Sequence, residues 1–457
     1  MITRRWNEID LSFYRRHLIE PLYYKIQKSP RLHYWRELEK TQYYPYDFLI
    51  ELQWSRLKDL LDFVYHHNVF YRKRFDAAGL QPGDIQSSDD LRLLPLLTKE
   101  EIRKHTLQMI SDLYCPEDLM KFKTGGSTGK SLEIYITEEC SELRNACARR
   151  HDCWTGWRPG EPIGAVWGNP VLPGDMKTRL KNWMLWPMIY LDTMNVTDES
   201  VSAFASQWEK SKPTLLYGHA HSIYVLAEIV RKLDIDTIRP KGILSTSMML
   251  MPHERRSIEE VFGVPVTDRY GCEEVSLIAS ECERHEGMHL NIEHLFIEFI
   301  KEDGSEALPG EHGSIVVTDL MNKAMPFIRY MVEDIGVPSQ RTCSCGRGLP
   351  LMDMVVGRSA DFLIRRDGSR VAGVSLIENT LTKIPGIDQM QIIQESRDDI
   401  VLNIVAGRDY TSETHDHLIA YFKQEFYGVH VDVRLMERIM PEASGKYRFS
   451  INKTNTI

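Results

Sequence analysis

The sequence predicts an α/β protein with a large N-terminal domain of sheets flanked by helices, over residues 1–358, and a small α+β domain, over 359–457. Three observations predict it. At 457 residues the chain exceeds what a single hydrophobic core usually serves. Between about residues 130 and 320, short apolar runs alternate with helical patterns, as they do where helices cover a sheet. Residues 359–457 then carry strand, strand, helix and strand patterns of their own.

The elements follow in order. Residues 1–80 are helical and rich in aromatics, with Trp54 to Tyr71 expected as one helix from its apolar spacing. A Pro- and Asp-bearing loop spans Gln81 to Asp90. Thr98 followed by Glu101 predicts a capping box opening a helix. The apolar runs Pro162 to Trp167, Thr214 to Tyr217, Gly242 to Leu244 and Gly313 to Val317 are expected strands. In the last unit, Met390 to Gln394, Asp399 to Val405 and Val429 to Leu435 are expected strands, and Ser412 is expected to cap a helix ended near Gly428.

Composition narrows the function classes. The net charge of -9 and a pI near 6.0 argue against a nucleic-acid footprint, which needs clustered positive charge. The first residues, MITRRWNEIDLS, hold no apolar stretch of the signal-peptide kind, and no long apolar run predicts a transmembrane span. Eight cysteines in this length do not make a disulfide framework, so a reducing cytoplasm is the expected setting.

The most informative loop is Lys123-Thr124-Gly125-Gly126-Ser127-Thr128-Gly129-Lys130-Ser131. Glycines let backbone N–H groups approach an anion, and hydroxyls add further donors, so the loop suits nucleotide phosphates. A Walker A loop would require Gly where Thr124 stands. Residues Thr124 to Gly129 instead match [ST]-[SG]-G-[ST]-T-G without a gap.

Further segments follow in a fixed order. They are Asp268-Arg269-Tyr270-Gly271-Cys272-Glu273-Glu274, Pro326 to Asp334, Gly357-Arg358 and Pro441-Glu442-Ala443-Ser444-Gly445-Lys446. With Val69 to Phe75 and Leu94 to Lys99, this series resembles the phenylacetate–CoA ligase branch of the acyl-adenylate-forming superfamily, and within it the capsule-biosynthesis and deazaflavin-adenylating relatives. The resemblance runs from about residue 58 to the C-terminus.

The resemblance implies ATP-dependent activation of a carboxylic acid as an acyl-adenylate, with pyrophosphate released. Transfer to CoA or another nucleophile, such as a carrier-protein pantetheine or an amine, would follow. It implies a nucleotide site of Thr124, Gly125, Gly126, Ser127, Thr128, Gly129, Lys130, Ser247, Asp268, Tyr270, Gly271, Asp334 and Arg358. Tyr270 would pack on adenine and Asp334 would grip the ribose hydroxyls. Glu274 would help hold magnesium, a cation that takes one or two carboxylates plus phosphate oxygens. Lys446 would enter the site on a mobile small domain and contact the carboxylate and α-phosphate, a task for a point charge on a long stem.

Three positions depart from the family pattern. Glu273 replaces a hydroxyl, Ala360 replaces the usual hinge Asp, and no Glu follows Ser247. Trp167, Tyr217, His219 and His221 fall in the region of the acyl pocket, where packing or a hydrogen-bonded helix start are the alternatives. Cys282, His289, Cys343 and Cys345 form a candidate structural zinc set, with His285 as an alternative ligand. The partners expected are ATP, Mg2+, a small carboxylic acid and CoA or a carrier protein, with a homodimer common in relatives. Two rivals make different products: a P-loop NTPase or kinase would release orthophosphate or a phosphorylated product, and a degenerate scaffold would bind ATP without turnover.

Overall fold

The computed structural model describes residues 11–123, 132–167, 175–192, 196–358, 362–367, 370–372, 376–377, 380–381, 383–440 and 448–454. An eleven-stranded mixed sheet organises the larger part. Five parallel strands run across it in the order Met188–Asp192, Ile163–Trp167, Leu215–His219, Gly242–Thr246 and Val266–Cys272. Right of these the sheet turns antiparallel, through Ser276–Glu281, Met288–Leu290, Leu351–Arg358, Tyr330–Pro338, Gly313–Asp319 and Leu295–Ile300.

The apolar runs anticipated as strands are strands: Gly242–Thr246 and Gly313–Asp319 run two residues past the expected ends, whereas Ile163–Trp167 and Leu215–His219 begin one residue later than expected. Parallel pairing needs crossovers, and the helices Asp198–Ser211, Ala220–Lys232 and Pro252–Phe262 supply them. Their buried faces, with Phe204, Trp208, Leu226 and Ile258, meet Leu216, Ile243 and Val266 of the sheet in one core.

Expectation and structure part at two helix boundaries. Trp54 to Tyr71 is not one helix: Tyr46–His67 ends at Asn68, and Val69–Ala78 begins there. Asn68 is extended and its Oδ1 accepts from Tyr71 N at 3.1 Å. A cap that satisfies an orphan N–H outweighs the continuing apolar period. In the small unit, Thr411 rather than Ser412 caps the helix Ser412–Glu425, accepting from Thr414 N. The Thr98–Glu101 capping box forms as expected, with Thr98 N donating to Glu101 Oε2 at 3.0 Å.

The smaller sheet has four strands in the order His430–Leu435, Asp399–Ala406, Ile387–Gln394 and Ser450–Asn452. The helix Ser412–Glu425 crosses between parallel Asp399–Ala406 and His430–Leu435 and buries Leu418, Phe422 and Phe426 against it. Among the described residues no helix is long and apolar enough to cross a membrane.

Candidate active site

In parallel sheets ligands bind beyond the carboxyl ends of the strands. Trp167 and His219 are the last residues of their strands, Ser247 follows the end of Gly242–Thr246, and Tyr270 and Gly271 close Val266–Cys272. Five of the expected residues thus share one sheet edge. Ser247 holds φ of +65°, a left-handed conformation that costs a non-glycine residue energy and recurs at functional sites. Gly271 is required by space: a Cβ there would lie 2.5 Å from Ser276 O in the tight return to the next strand.

Asp334 reaches the same place from another part of the chain. The Tyr270 hydroxyl donates to Asp334 Oδ2 at 2.7 Å. Asp334 sits where the register between Tyr330–Pro338 and Leu351–Arg358 shifts, after Glu333 at φ +73°. Such a bulge re-aims the side chain beside it. Lys99 Nζ holds the Glu333 carboxylate at 2.7 Å. Arg358 is the register partner of Asp334; its side chain lies outside the described residues.

Glu274 follows the strand Val266–Cys272. It is buried, and among the described residues no lysine or arginine forms an ion pair with its carboxylate. A buried carboxylate lacking a cation is costly, so this one suits a bound metal ion. The wholly buried Tyr330 lies beside it: burial, and then the Glu274 charge, drive the Tyr330 hydroxyl pKa far up. Arg144, from the helix Glu138–Trp154, fixes the turn. Its Nη2 donates to Glu274 O and to Asp319 Oδ2, each at 2.8 Å, and its Nη1 to Glu273 O at 3.3 Å. Sequence inspection missed Arg144, because a charged residue on an amphipathic helix looks like a solvated one and its partners, two carbonyls and the Asp319 carboxylate, lie far away in sequence.

Asp268 lies deeper. Its Oδ1 accepts from Arg269 N at 3.0 Å and from Ser245 Oγ at 3.3 Å. Burial and the nearby Glu281 push its pKa up to about 7, against the pull of Arg255.

Trp167, Tyr217 and His219 make one aromatic wall. Trp167 stacks on Tyr217 with centroids 5.2 Å apart and lies 3.9 Å from the His219 ring. Arg269 stands 5.5 Å over the Tyr217 ring and pairs with Asp152 at 2.8 Å. His219 precedes the helix Ala220–Lys232 without its side chain capping it. His221 is drawn away from the wall: its Nδ1 meets Glu254 Oε1 at 2.8 Å, and its Nε2 approaches Gln389 of the small sheet at 3.4 Å.

The four metal-ligand candidates converge, with all donor atoms within 4.8 Å of one another. Cys282 Sγ lies 3.6 Å from Cys343 Sγ, and Cys345 Sγ lies 3.4 Å from His289 Nε2. Donors on one tetrahedral zinc stand about 3.5–3.8 Å apart, given bonds of about 2.0–2.3 Å. His289 Nδ1 faces Leu349 O at 3.1 Å, which leaves Nε2 as the lone-pair nitrogen turned to the thiols. The backbone N–H groups of Arg284 and Arg347 donate to Cys282 Sγ and Cys345 Sγ, each at 3.4 Å. Burial raises the Cys282 and Cys343 thiol pKa values and lowers His289 to about 4. At Cys345 burial is outweighed by the Arg347 N–H and side chain, and the thiol is held below its ordinary range. His285 is not in the set and pairs with Glu281 at 3.3 Å.

Thr124 to Lys130, Ala360 and Lys446 lie outside the described residues. The strands flanking the phosphate-type loop are described, however. Met120–Lys123 pairs antiparallel with Glu133–Ile136, Lys123 opposite Glu133. A Walker A loop leads from a strand into a helix, so this hairpin disagrees with the P-loop alternative.

Comparison with known proteins agrees with the resemblance. A family model described as the CapK C-terminal domain matches residues 363–453. The phenylacetate-coenzyme A ligase of Thermus thermophilus is 27% identical over 332 residues, 70% of this chain and 73% of that protein. The phenylacetate-coenzyme A ligase of Escherichia coli is 24% identical, covering 88% and 94% of the two chains. Protein CapK of Staphylococcus aureus is 22% identical, covering 92% of each. Among solved structures, 2-hydroxyisobutyryl-CoA ligase in complex with R3-HIB-AMP superposes with a TM-score of 0.69 at 19% identity, over 87% of this chain and 88% of that one. ATP-bound MatB from Rhodopseudomonas palustris superposes with a TM-score of 0.52 at 14% identity, over 74% and 67%. The chain has the fold of these adenylate-forming ligases.

Proposed function

We propose that the chain activates a small carboxylic acid with ATP and passes the acyl group to CoA. The observation that carries this reading is the hydrogen bond from Tyr270 to Asp334, at a sheet edge shared with Ser247 and next to Glu274. Tyr270 would pack on the adenine, and its hydroxyl would hold the Asp334 carboxylate toward the ribose. A carboxylate accepts from two vicinal hydroxyls at once. Relatives named phenylacetate-coenzyme A ligase support the acid and the thiol as substrates.

In the first step an oxygen of the acid attacks the α-phosphorus of ATP. The bond to the β-phosphate bridging oxygen breaks, and pyrophosphate leaves with its electron pair. One anion attacks another, so fixed positive charge is needed where negative charge grows. Thr124 to Lys130 would offer N–H groups and hydroxyls, and Lys446 an ammonium. Magnesium would be held by Glu274, and when bound it supplies charge neutralisation at the phosphates. In the second step a thiolate attacks the acyl carbon and AMP departs with the carboxylate oxygen. The small domain at 359–457 would move between steps and withdraw Lys446. A carrier-protein pantetheine offers the same thiol as CoA.

Trp167, Tyr217 and His219 would face the acyl group. Cys282, His289, Cys343 and Cys345 would hold a structural zinc remote from the chemistry. It would tie the strand Met288–Leu290 to the segment leading into Leu351–Arg358, which ends at the ribose side of the site.

The test is product analysis with ATP, Mg2+, CoA and a panel of aryl, fatty and hydroxy acids. An acid-dependent pair of AMP and acyl-CoA is expected. ADP or orthophosphate as the acid-dependent product would reject the reading, and Lys446→Ala leaving turnover unchanged would remove Lys446 from it.

A further inference from the structure

The helix Met176–Leu185 is built inside out. Successive residues turn about 100° around a helix, so Met176, Leu180 and Trp183 share one face, with Leu185 opposite. Leu185 is the buried residue, whereas Met176 is 77% exposed and Leu180 and Trp183 are more than half exposed. The apolar stripe therefore points to solvent, the reverse of a helix that covers a core.

A second stripe lies beside it. The helical arm through Leu11–Tyr14, the π-turn Arg15–Ile19 and Glu20–Ile26 exposes Leu18, Leu22 and Ile26 at four-residue spacing. Arg15 joins the two elements, donating from Nε to Met184 O and from Nη2 to Trp183 O, each at 3.2 Å. Lys181 also spans them, 5.4 Å over the Tyr23 ring. Two exposed apolar stripes on elements packed together in this way mark an interaction site.

Charge selects the occupant. Lys25, Lys177, Arg179 and Lys181 are exposed within these two segments, and Lys28 just beyond the end of the first. Among their described residues the carboxylates are Glu20, buried against Arg149, and Asp175, whose oxygen caps the helix by accepting from Thr178 N. Lys177 and Arg179 flank the stripe of the second helix on either side. This basic rim stands on a chain of net charge -9. A second copy docked across a two-fold axis would set the same cations against each other. Aliphatic and Trp side chains bordered by Lys and Arg are instead the composition of a helix lying in a bilayer interface.

We infer that this face docks on an anionic lipid surface, with Leu18, Leu22, Ile26, Met176, Leu180 and Trp183 entering the headgroup boundary and the lysines pairing with lipid phosphates. The inference is independent of the acid-activation reading.

The test is co-sedimentation of the full chain with phosphatidylcholine vesicles, with and without phosphatidylglycerol. Binding to the anionic vesicles is expected, weakened by salt, with a blue shift of Trp emission. Leu22→Ser with Leu180→Ser should abolish binding. Lys177→Glu with Arg179→Glu should weaken it by about fivefold or more per cation. The variants should melt as the unmodified chain does, because the changed side chains are exposed. Absence of binding to anionic vesicles at low salt, or binding unchanged by both pairs of substitutions, would overturn the inference. So would self-association by light scattering that Leu22→Ser with Leu180→Ser dissolves while no vesicle is bound.

Discussion

The Tyr270 hydroxyl and Asp334 Oδ2 are 2.7 Å apart across 64 residues of sequence. Tyr270 closes a parallel strand and Asp334 sits on the bulge of an antiparallel one, so the bond joins the two halves of the large sheet. On the proposed reading, this phenol and this carboxylate, held together, would act as one nucleotide-binding unit.

Tyr270→Phe keeps the ring and removes that bond. A hydrogen bond to a charged acceptor contributes about 1.5–3 kcal/mol, so KM for ATP should rise by on the order of tenfold or more, with kcat changed less. Steady-state pyrophosphate release checks this. A change confined to kcat would assign Tyr270 to chemistry rather than nucleotide binding.

Arg144→Ala should weaken magnesium binding rather than ATP affinity alone. It releases the Glu273 and Glu274 carbonyls and leaves buried Asp319 without its cation. The Mg2+ concentration for half-maximal rate should rise by on the order of tenfold, and the melting temperature should fall. An unchanged Mg2+ profile would contradict the positioning role.

Much of the sheet was legible. Short apolar runs bounded by Gly and Pro mark Gly242–Thr246 and Gly313–Asp319, and local chemistry marks the Thr98 cap. What was illegible depends on contacts distant in sequence. The Asn68 break is a competition between a cap and an apolar period that both read well locally. Arg144 has no motif. The spacings of Cys282, His289, Cys343 and Cys345 carry a weak signal because antiparallel pairing of His289 with Leu351 brings them together. His221 was grouped with Tyr217 and His219 by sequence proximity, but the helix start turns it toward Glu254.

Purified protein should contain one zinc per chain. Cys345→Ser should lose the metal and lower the melting temperature, since binding energy at a structural site is folding energy. Elemental analysis with melting curves, with and without chelator, measures both. Metal-free protein melting as high as the metal-loaded form would contradict the assignment.

Asp268 gives a pH dependence with a definite sign. Its pKa is raised to about 7 in the fold, above the unfolded value near 3.8. The native state then binds the extra proton between these values, so this group's contribution to stability falls as pH rises through that window. Buried His294, held at about 4, contributes the opposite slope below its unfolded value. The difference in melting temperature between Asp268→Asn and the unmodified chain isolates Asp268. It should grow in favour of Asn from about pH 4 to about pH 7 and level off above. A pH-independent difference would show that Asp268 is ionised throughout.

The central claim is that the acid attacks the α-phosphorus, and oxygen transfer tests it most directly. With the carboxylate oxygens of the accepted acid labelled with heavy oxygen, turnover with ATP and CoA should deliver one labelled oxygen into AMP. Label in orthophosphate, or AMP without label, would contradict the claim.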